Sequence, residues 1–320
     1  MKLGIIFAAF ASVALAVLVV TGSRSIGQSP GAATRVAQAG SSGPAKLTVA
    51  IYTPTIQFAN SAARLSYVQG MAKAIAANTG IRVEGLSFTT LSKLIAAKPD
   101  FAIIDAQCYA NNMNWRLLAN ARVNGRTSRS WALYSRLGSQ LADLRSKKLA
   151  FVKTGCGDTR FIENAMLESE LDSGFFSDLV GKSNLSGAVA EVATYRGAHA
   201  VFAPSGSQKG LTKVFDSGAV PTPAFVQLDV KLSEAIAKKV KDAVVGYGAS
   251  SAIDGWSADN DRAYRALRTR MGKRVKRGLF ADPEPVRIDP KEVLVEPKTL
   301  DSIAMPELEQ NFERPPERQE

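Results

Sequence analysis

The residues able to do chemistry in this sequence are few, and they gather in one stretch. Gly155–Cys156–Gly157–Asp158–Thr159 brings a thiol, a carboxylate and a hydroxyl into five positions. Glycines on both sides of Cys156 let the backbone turn tightly and come close to a bound group. A helical apolar pattern over Thr159–Leu171 follows. The turn therefore points the unpaired N–H groups of a helix start into the space beyond it. Such a socket grips a small polar group and does not transform it. The second cysteine, Cys108, and the single histidine, His199, are distant in sequence. One histidine excludes a multi-histidine metal site, and nothing around Cys156 or His199 has the pattern of a cysteine hydrolase. The reading is a binding protein, not an enzyme, with no cofactor and no metal. His199, at the start of an apolar strand, reads as a structural residue. The thiols read as small buried apolar groups, with a bridge as the alternative in an oxidising compartment.

The elements that must hold this turn follow an α/β rhythm. Lys148–Val152 is a short apolar strand that delivers the chain to Thr154. Upstream come a strand over Leu47–Tyr52, a helix over Arg64–Asn78, a strand over Ile81–Phe88, a short helix over Thr90–Lys98 and a strand over Phe101–Asp105. Leu65, Val68, Met71, Ala72 and Ile75 share one face of the first helix. Strands that are apolar throughout, rather than alternating, predict parallel pairing with both faces covered. Ligands in such sheets sit beyond the carboxyl ends of the strands. Those ends are Tyr52–Thr53, Phe88–Thr90 and Asp105–Tyr109. Arg116–Asn124 and Ser130–Arg136 read as further strands, and Ala224–Leu228 as a returning segment. Lys231–Tyr247 and Asp261–Arg277 read as amphipathic helices.

Composition bounds the partners. The 320 residues are 46% hydrophobic and 22% charged, enough for two ordinary domains with real cores. A net charge of +11 raises nucleic acid as a partner. Against it stand the absence of any RNA or DNA module and the apolar run Leu3–Val20, which reads as an export segment. Residues 1–22 are assigned to a signal peptide or, if uncleaved, a membrane anchor. Residues 23–45, rich in Gly, Ser, Ala and Pro, form a disordered linker. Residues 282–320 carry eleven Asp/Glu against five Lys/Arg and half of the 14 prolines, which makes them an acidic Pro-rich tail. The basic run from Arg268 to Arg277 offers a surface to anionic headgroups or an acidic partner, or is simply a solvated helix face.

Four stretches carry a family resemblance: KLTVAIYTP (46–54), PDFAIIDAQCYA (99–110), SQLADLRSKKLAFVKTG (139–155) and IDGWSADNDRAYRAL (253–267). Together they resemble the phosphate/phosphonate-binding group of periplasmic solute-binding proteins, the capture subunits of ABC importers. The third is the most specific. The resemblance covers roughly residues 46–280 and implies an α/β, two-lobed periplasmic-binding-protein fold of type II-like form. That fold has two mixed, mainly parallel sheets joined by a hinge. Lobe one would comprise 46–125 plus 224–281, lobe two 148–222, and the hinge or crossover 126–147. It implies an exported, monomeric protein, periplasmic or tethered, that captures a small molecule between its lobes for a membrane permease. Tyr52, Thr53, Thr89 and Tyr109 would face the ligand from lobe one. Thr154, Gly155, Cys156, Gly157, Asp158 and Thr159 would face it from lobe two.

One departure bears on the ligand. Phosphonate binders carry a turn resembling Gly-Ser-Thr-Ser-Gly, where this chain has Cys156, Gly157 and Asp158. A carboxylate at a helix start caps the free N–H groups itself and repels an oxyanion. Two like charges about 4 Å apart cost on the order of 4 kcal/mol at an effective dielectric near 20. A simple phosphonate is therefore not expected, and a less polar or cationic molecule fits better. Two alternatives remain open. One is a carrier of lipid or other apolar cargo, lined by Phe88, Tyr109, Trp115, Trp131 and Phe161. The other is an anchored, non-transporting sensor or interaction module. A Cys108–Cys156 bridge would run across the cleft and lock it shut.

Overall fold

In the computed structural model, residues 46–273 are described apart from 169–170, 172–173, 207 and 209. The apolar run 3–20, the linker 23–45, the tail 282–320 and the basic run beyond 273 lie outside the described residues. Among the described residues no helix is long and apolar enough to cross a membrane.

Chain order is β1 (Lys46–Tyr52), α1 (Ser61–Thr79), β2 (Arg82–Ser87), α2 (Leu91–Ala97), β3 (Phe101–Ile104), α3 (Ala106–Asn111), β4 (Arg116–Arg122) and β5 (Ser128–Ser135). There follow β6 (Lys148–Val152), α4 (Asp158–Arg160, widened over 161–166 into a π turn), β7 (Asp178–Lys182), α5 (Leu185–Ala193), β8 (Ala200–Pro204) and β9 (Thr212–Pro221). The chain closes with β10 (Ala224–Gln227), α6 (Glu234–Val245), β11 (Gly255–Ala258) and α7 (Arg262–Gly272).

Two sheets result, ordered β11-β4-β10-β3-β1-β2 and β7-β6-β8-β5-β9. Each anchors one lobe. β1 lies between β2 and β3 in parallel register, so its last four residues are buried. α1 crosses between β1 and β2. Asn60 caps it by accepting the Ala63 N–H at 2.8 Å, and Gly80 ends it at φ 72°. Its buried face is Tyr67, Val68, Met71, Ala72 and Ile75. The helix backbone rests directly on β2, because a Cβ at Gly85 would come within 2.8 Å of the Val68 carbonyl oxygen. Gly85→Ala is accordingly expected to cost about 1–3 kcal/mol through overpacking, read as a lower midpoint in chemical denaturation. An unchanged midpoint would mean that helix and strand part freely.

Both sheets are mixed. β1, β2 and β3 pair in parallel, as do β6, β7 and β8, while β4, β5, β9, β10 and β11 pair antiparallel. Antiparallel pairing outweighs the mainly parallel expectation because β10 returns from the second lobe into the first, between β3 and β4. Residues 126–147, expected as crossover, instead supply β5, an inner strand of the second sheet. The lobes exchange chain just after β4 and just before β10. Thr222 ties these two crossings together: its N–H donates to the Thr127 carbonyl at 3.0 Å, and its hydroxyl to the Ala121 carbonyl at 2.5 Å. α7 packs behind the cleft. Arg270 Nη1 donates to the Ala219 carbonyl at 3.1 Å and Nη2 to those of Ser217, at 2.9 Å, and Ala165. Asn164 Nδ2 donates to the Met271 carbonyl at 2.8 Å.

Candidate functional site

The carboxyl ends of β1, β3, β6 and β7 face one another across the lobes. After β6 the chain turns through Gly155 and Gly157, both left-handed at φ 76° and 74°. Asp158 then folds back into the turn. Its Oδ1 accepts from Thr154 Oγ1 at 2.5 Å, from the Thr154 N–H at 3.2 Å and from Gln107 Nε2 at 2.7 Å. Its Oδ2 accepts from the Gly155 N–H at 3.0 Å. The donors that would hold an oxyanion are thus spent on the protein's own carboxylate. Cys156 is not a free thiol, contrary to the plainer reading: it is bonded to Cys108 of α3, with Cα atoms 4.9 Å apart and both residues fully buried.

Hinge-ward of this turn the cleft is packed. Asp105 is buried and accepts from the Thr55 N–H at 3.1 Å and from Thr55 Oγ1 at 2.5 Å. Burial pushes its carboxyl up from 3.8 to about 6, against the opposing pull of the Thr55 hydrogen bonds and of Arg129. A folded-state value above the unfolded one means the native state holds the proton more tightly. The contribution is complete below about pH 4 and is lost as pH rises through about 6. Asp105→Asn should therefore gain stability relative to wild type between pH 4 and 7 in thermal melts. A constant difference across that range would show Asp105 to be ionised throughout. Two cavities of about 20 Å³ each flank Gln107, one against Trp131, Phe151 and Phe202, the other against Asp105 and Arg129. Each has room for a single water.

Toward the rim the cleft opens. A hollow of about 340 Å³ is walled by Tyr52, the Pro54–Ser61 loop, Arg64 and Thr89 from the first lobe, and by Ser183, Asn184, Leu185 and Ser186 from the second. The Leu185 N–H donates across it to the Pro54 carbonyl at 3.0 Å. Asn184 caps α5 by accepting the Gly187 N–H at 2.8 Å. Arg64 Nε donates to Ser87 Oγ at 2.9 Å, and among the described residues no carboxylate lines the hollow.

The expected site residues divide. Tyr52 and Thr89 wall the hollow, and the Tyr52 hydroxyl donates to the Thr154 carbonyl at 3.0 Å. Burial first, then Asp105 and Asp158, raise that phenol above its ordinary range. Thr53 is buried, and its hydroxyl has no partner among the described residues. Tyr109 does not face the cleft: it packs edge-on against Tyr264 of α7 with centroids 4.9 Å apart. Thr154 and Cys156 are buried within their turn, while Gly155 and Thr159 are exposed away from the hollow. Gly157 is half-buried, and a Cβ there would meet Arg160 at 3.1 Å. From the 154–159 turn, Asp158 lines one of the small cavities. Trp131 and Phe161 line those small cavities, whereas Phe88 and Trp115 pack at the edge of the core. His199 is structural, its Nδ1 accepting the Lys148 N–H at 3.2 Å. Sequence reading missed Arg64, Asn60 and Ser183–Ser186. The Ser-Asn pair ahead of an apolar helical run was the available signal for the last of these.

No family model matches the sequence, nor does any curated protein. Solved structures do match in fold. A Xanthomonas citri protein bound to ATP superposes with a TM-score of 0.57 at 10% identity, over 71% of this chain and 97% of its own. A binding-protein component of an ABC phosphonate transporter from Pseudomonas aeruginosa gives 0.54 at 14% identity, over 71% and 87%. A Prochlorococcus marinus protein in complex with methylphosphonate gives 0.54 at 11%, over 71% and 97%. The fold is that of the two-lobed periplasmic binding proteins.

Proposed function

We propose that this chain is an exported solute-binding protein that holds a small ligand in the rim hollow between its lobes and delivers it to a membrane ABC permease. One observation carries the reading: the hollow takes walls from both lobes, at the strand ends where this fold class binds ligands. In this proposal lobe one is 46–125 with 224–273, and lobe two is 128–222. The ligand-facing groups are Tyr52, Arg64 and Thr89 on one side and Ser183, Asn184 and Ser186 on the other. The 154–159 turn braces the site instead of gripping the ligand.

A guanidinium without a carboxylate opposite favours a neutral or singly anionic molecule over a cation. Two structures of the same fold hold ATP and methylphosphonate, which makes those compounds natural probes. Bulky apolar cargo is disfavoured at the cleft centre, because the cavities that Trp131 and Phe161 line there hold only about 20 Å³ each. The test is a thermal-shift screen of phosphonates, carboxylates, nucleotides, amines and lipids, repeated with Arg64→Ala and with Ser186→Trp, which fills the hollow. An anionic or polar compound should stabilise the wild type, and Arg64→Ala should weaken it by roughly 10- to 100-fold. A ligand indifferent to both substitutions binds elsewhere and defeats the proposal. The interlobe disulfide favours a second reading, a non-transporting binding or sensing module on the same scaffold.

A further inference from the structure

We infer that this clamshell is covalently closed: in the oxidised protein the lobes do not part, and ligand exchange takes place through the rim hollow alone. Cys108 belongs to the first lobe, on the helix that follows β3, and Cys156 to the second, in the turn that follows β6. Their bond therefore spans the cleft. Hinge opening moves such facing points apart. A disulfide tolerates Cα separations only up to about 7 Å, and the present distance is 4.9 Å, so only slight slack remains.

The surrounding contacts make the same closure. Gln107 Nε2 donates to the Cys156 carbonyl at 3.2 Å, Arg160 Nη2 to Asn111 Oδ1 at 2.9 Å, and the Tyr52 hydroxyl to the Thr154 carbonyl. Both cysteines are fully buried, so a thiol reductant cannot reach the bond in the native state. The lock is set during folding and is not a switch. It leaves the cleft centre with single-water cavities, while the hollow between Pro54–Arg64 and Ser183–Ser186 stays open to solvent. The inference concerns the lobes and holds whatever compound the hollow takes.

Small-angle scattering of the purified protein, without ligand, decides it. Oxidised wild type should fit one closed form. Cys108→Ala/Cys156→Ala should show a larger radius of gyration and require a second, open form. Should that variant fail to fold, wild type unfolded, reduced and refolded under dithiothreitol replaces it. Free thiols in the native protein would overturn the inference. So would an oxidised wild type that opens as far as the disulfide-free protein, or a disulfide-free protein that stays as closed as the oxidised one.

Discussion

Removing the bond between Cys108 and Cys156 should lower the unfolding free energy by roughly 4 kcal/mol, the chain-entropy value for a closed loop of this length. The two residues are 48 positions apart in sequence, and the loop between them contains β4, β5 and β6. Without the link, the denatured chain regains the freedom of that loop. Alanine is the better replacement because both side chains are fully buried, and a serine hydroxyl there would need a partner. Urea titration of Cys108→Ala/Cys156→Ala against oxidised wild type measures the effect. A loss under about 1 kcal/mol would mean that the bond is strained or not formed, since native bridges typically contribute 2–4 kcal/mol.

The second large effect is expected at Asp158. Its carboxylate collects four donors, from Thr154 (twice), Gly155 and Gln107. Hydrogen bonds to a charged group contribute about 1.5–3 kcal/mol, and donors left without a partner add a cost. Asp158→Ser should therefore cost roughly 2–3 kcal/mol. It should also return the Thr154 and Gly155 N–H groups to an incoming oxyanion. In the disulfide-free background, where the lobes can separate, methylphosphonate should raise the melting temperature of Asp158→Ser more than that of Asp158. If methylphosphonate stabilises the Asp158 form more, the carboxylate does not block the anion site, and the case against a simple phosphonate fails.

Much of the first lobe could be read from the residues themselves. β1, β3 and the buried face of α1 are apolar enough to declare their period, and Gly80 marks a helix end that the backbone confirms at φ 72°. β7, β9 and β11 were missed, and all three are edge strands. An edge strand is half solvated, so it lacks a continuous apolar run: β11 buries only Trp256, whose indole N–H reaches the Tyr67 hydroxyl at 2.9 Å. β9 has the further disguise of Gly218 at φ 81° and register shifts against β5. The helix expected over Thr159–Leu171 runs as one α turn that widens into a π turn by Met166, where the second lobe packs against α7.

The site was legible in part. Asp158 as a cap for its own turn followed from residue chemistry, because a carboxylate at a helix start has N–H groups within reach. Tyr109 misled, since a tyrosine at a strand end looks ligand-facing until α7 supplies Tyr264 as its neighbour. Most of the hollow's walls come from the 54–60 loop with the first turn of α1 and from residues 183–186 at the start of α5, which meet only through tertiary packing. No local pattern announces such a meeting.

The most direct measurement is a crystal structure of the purified protein with its co-purified or screened ligand. Density is predicted between Arg64, Tyr52 and Ser186, with the Cys108–Cys156 bond intact and the Gly155–Thr159 turn still filled by Asp158. A ligand seated on that turn with Asp158 displaced, or bound on an outer face away from both lobes, would contradict the account.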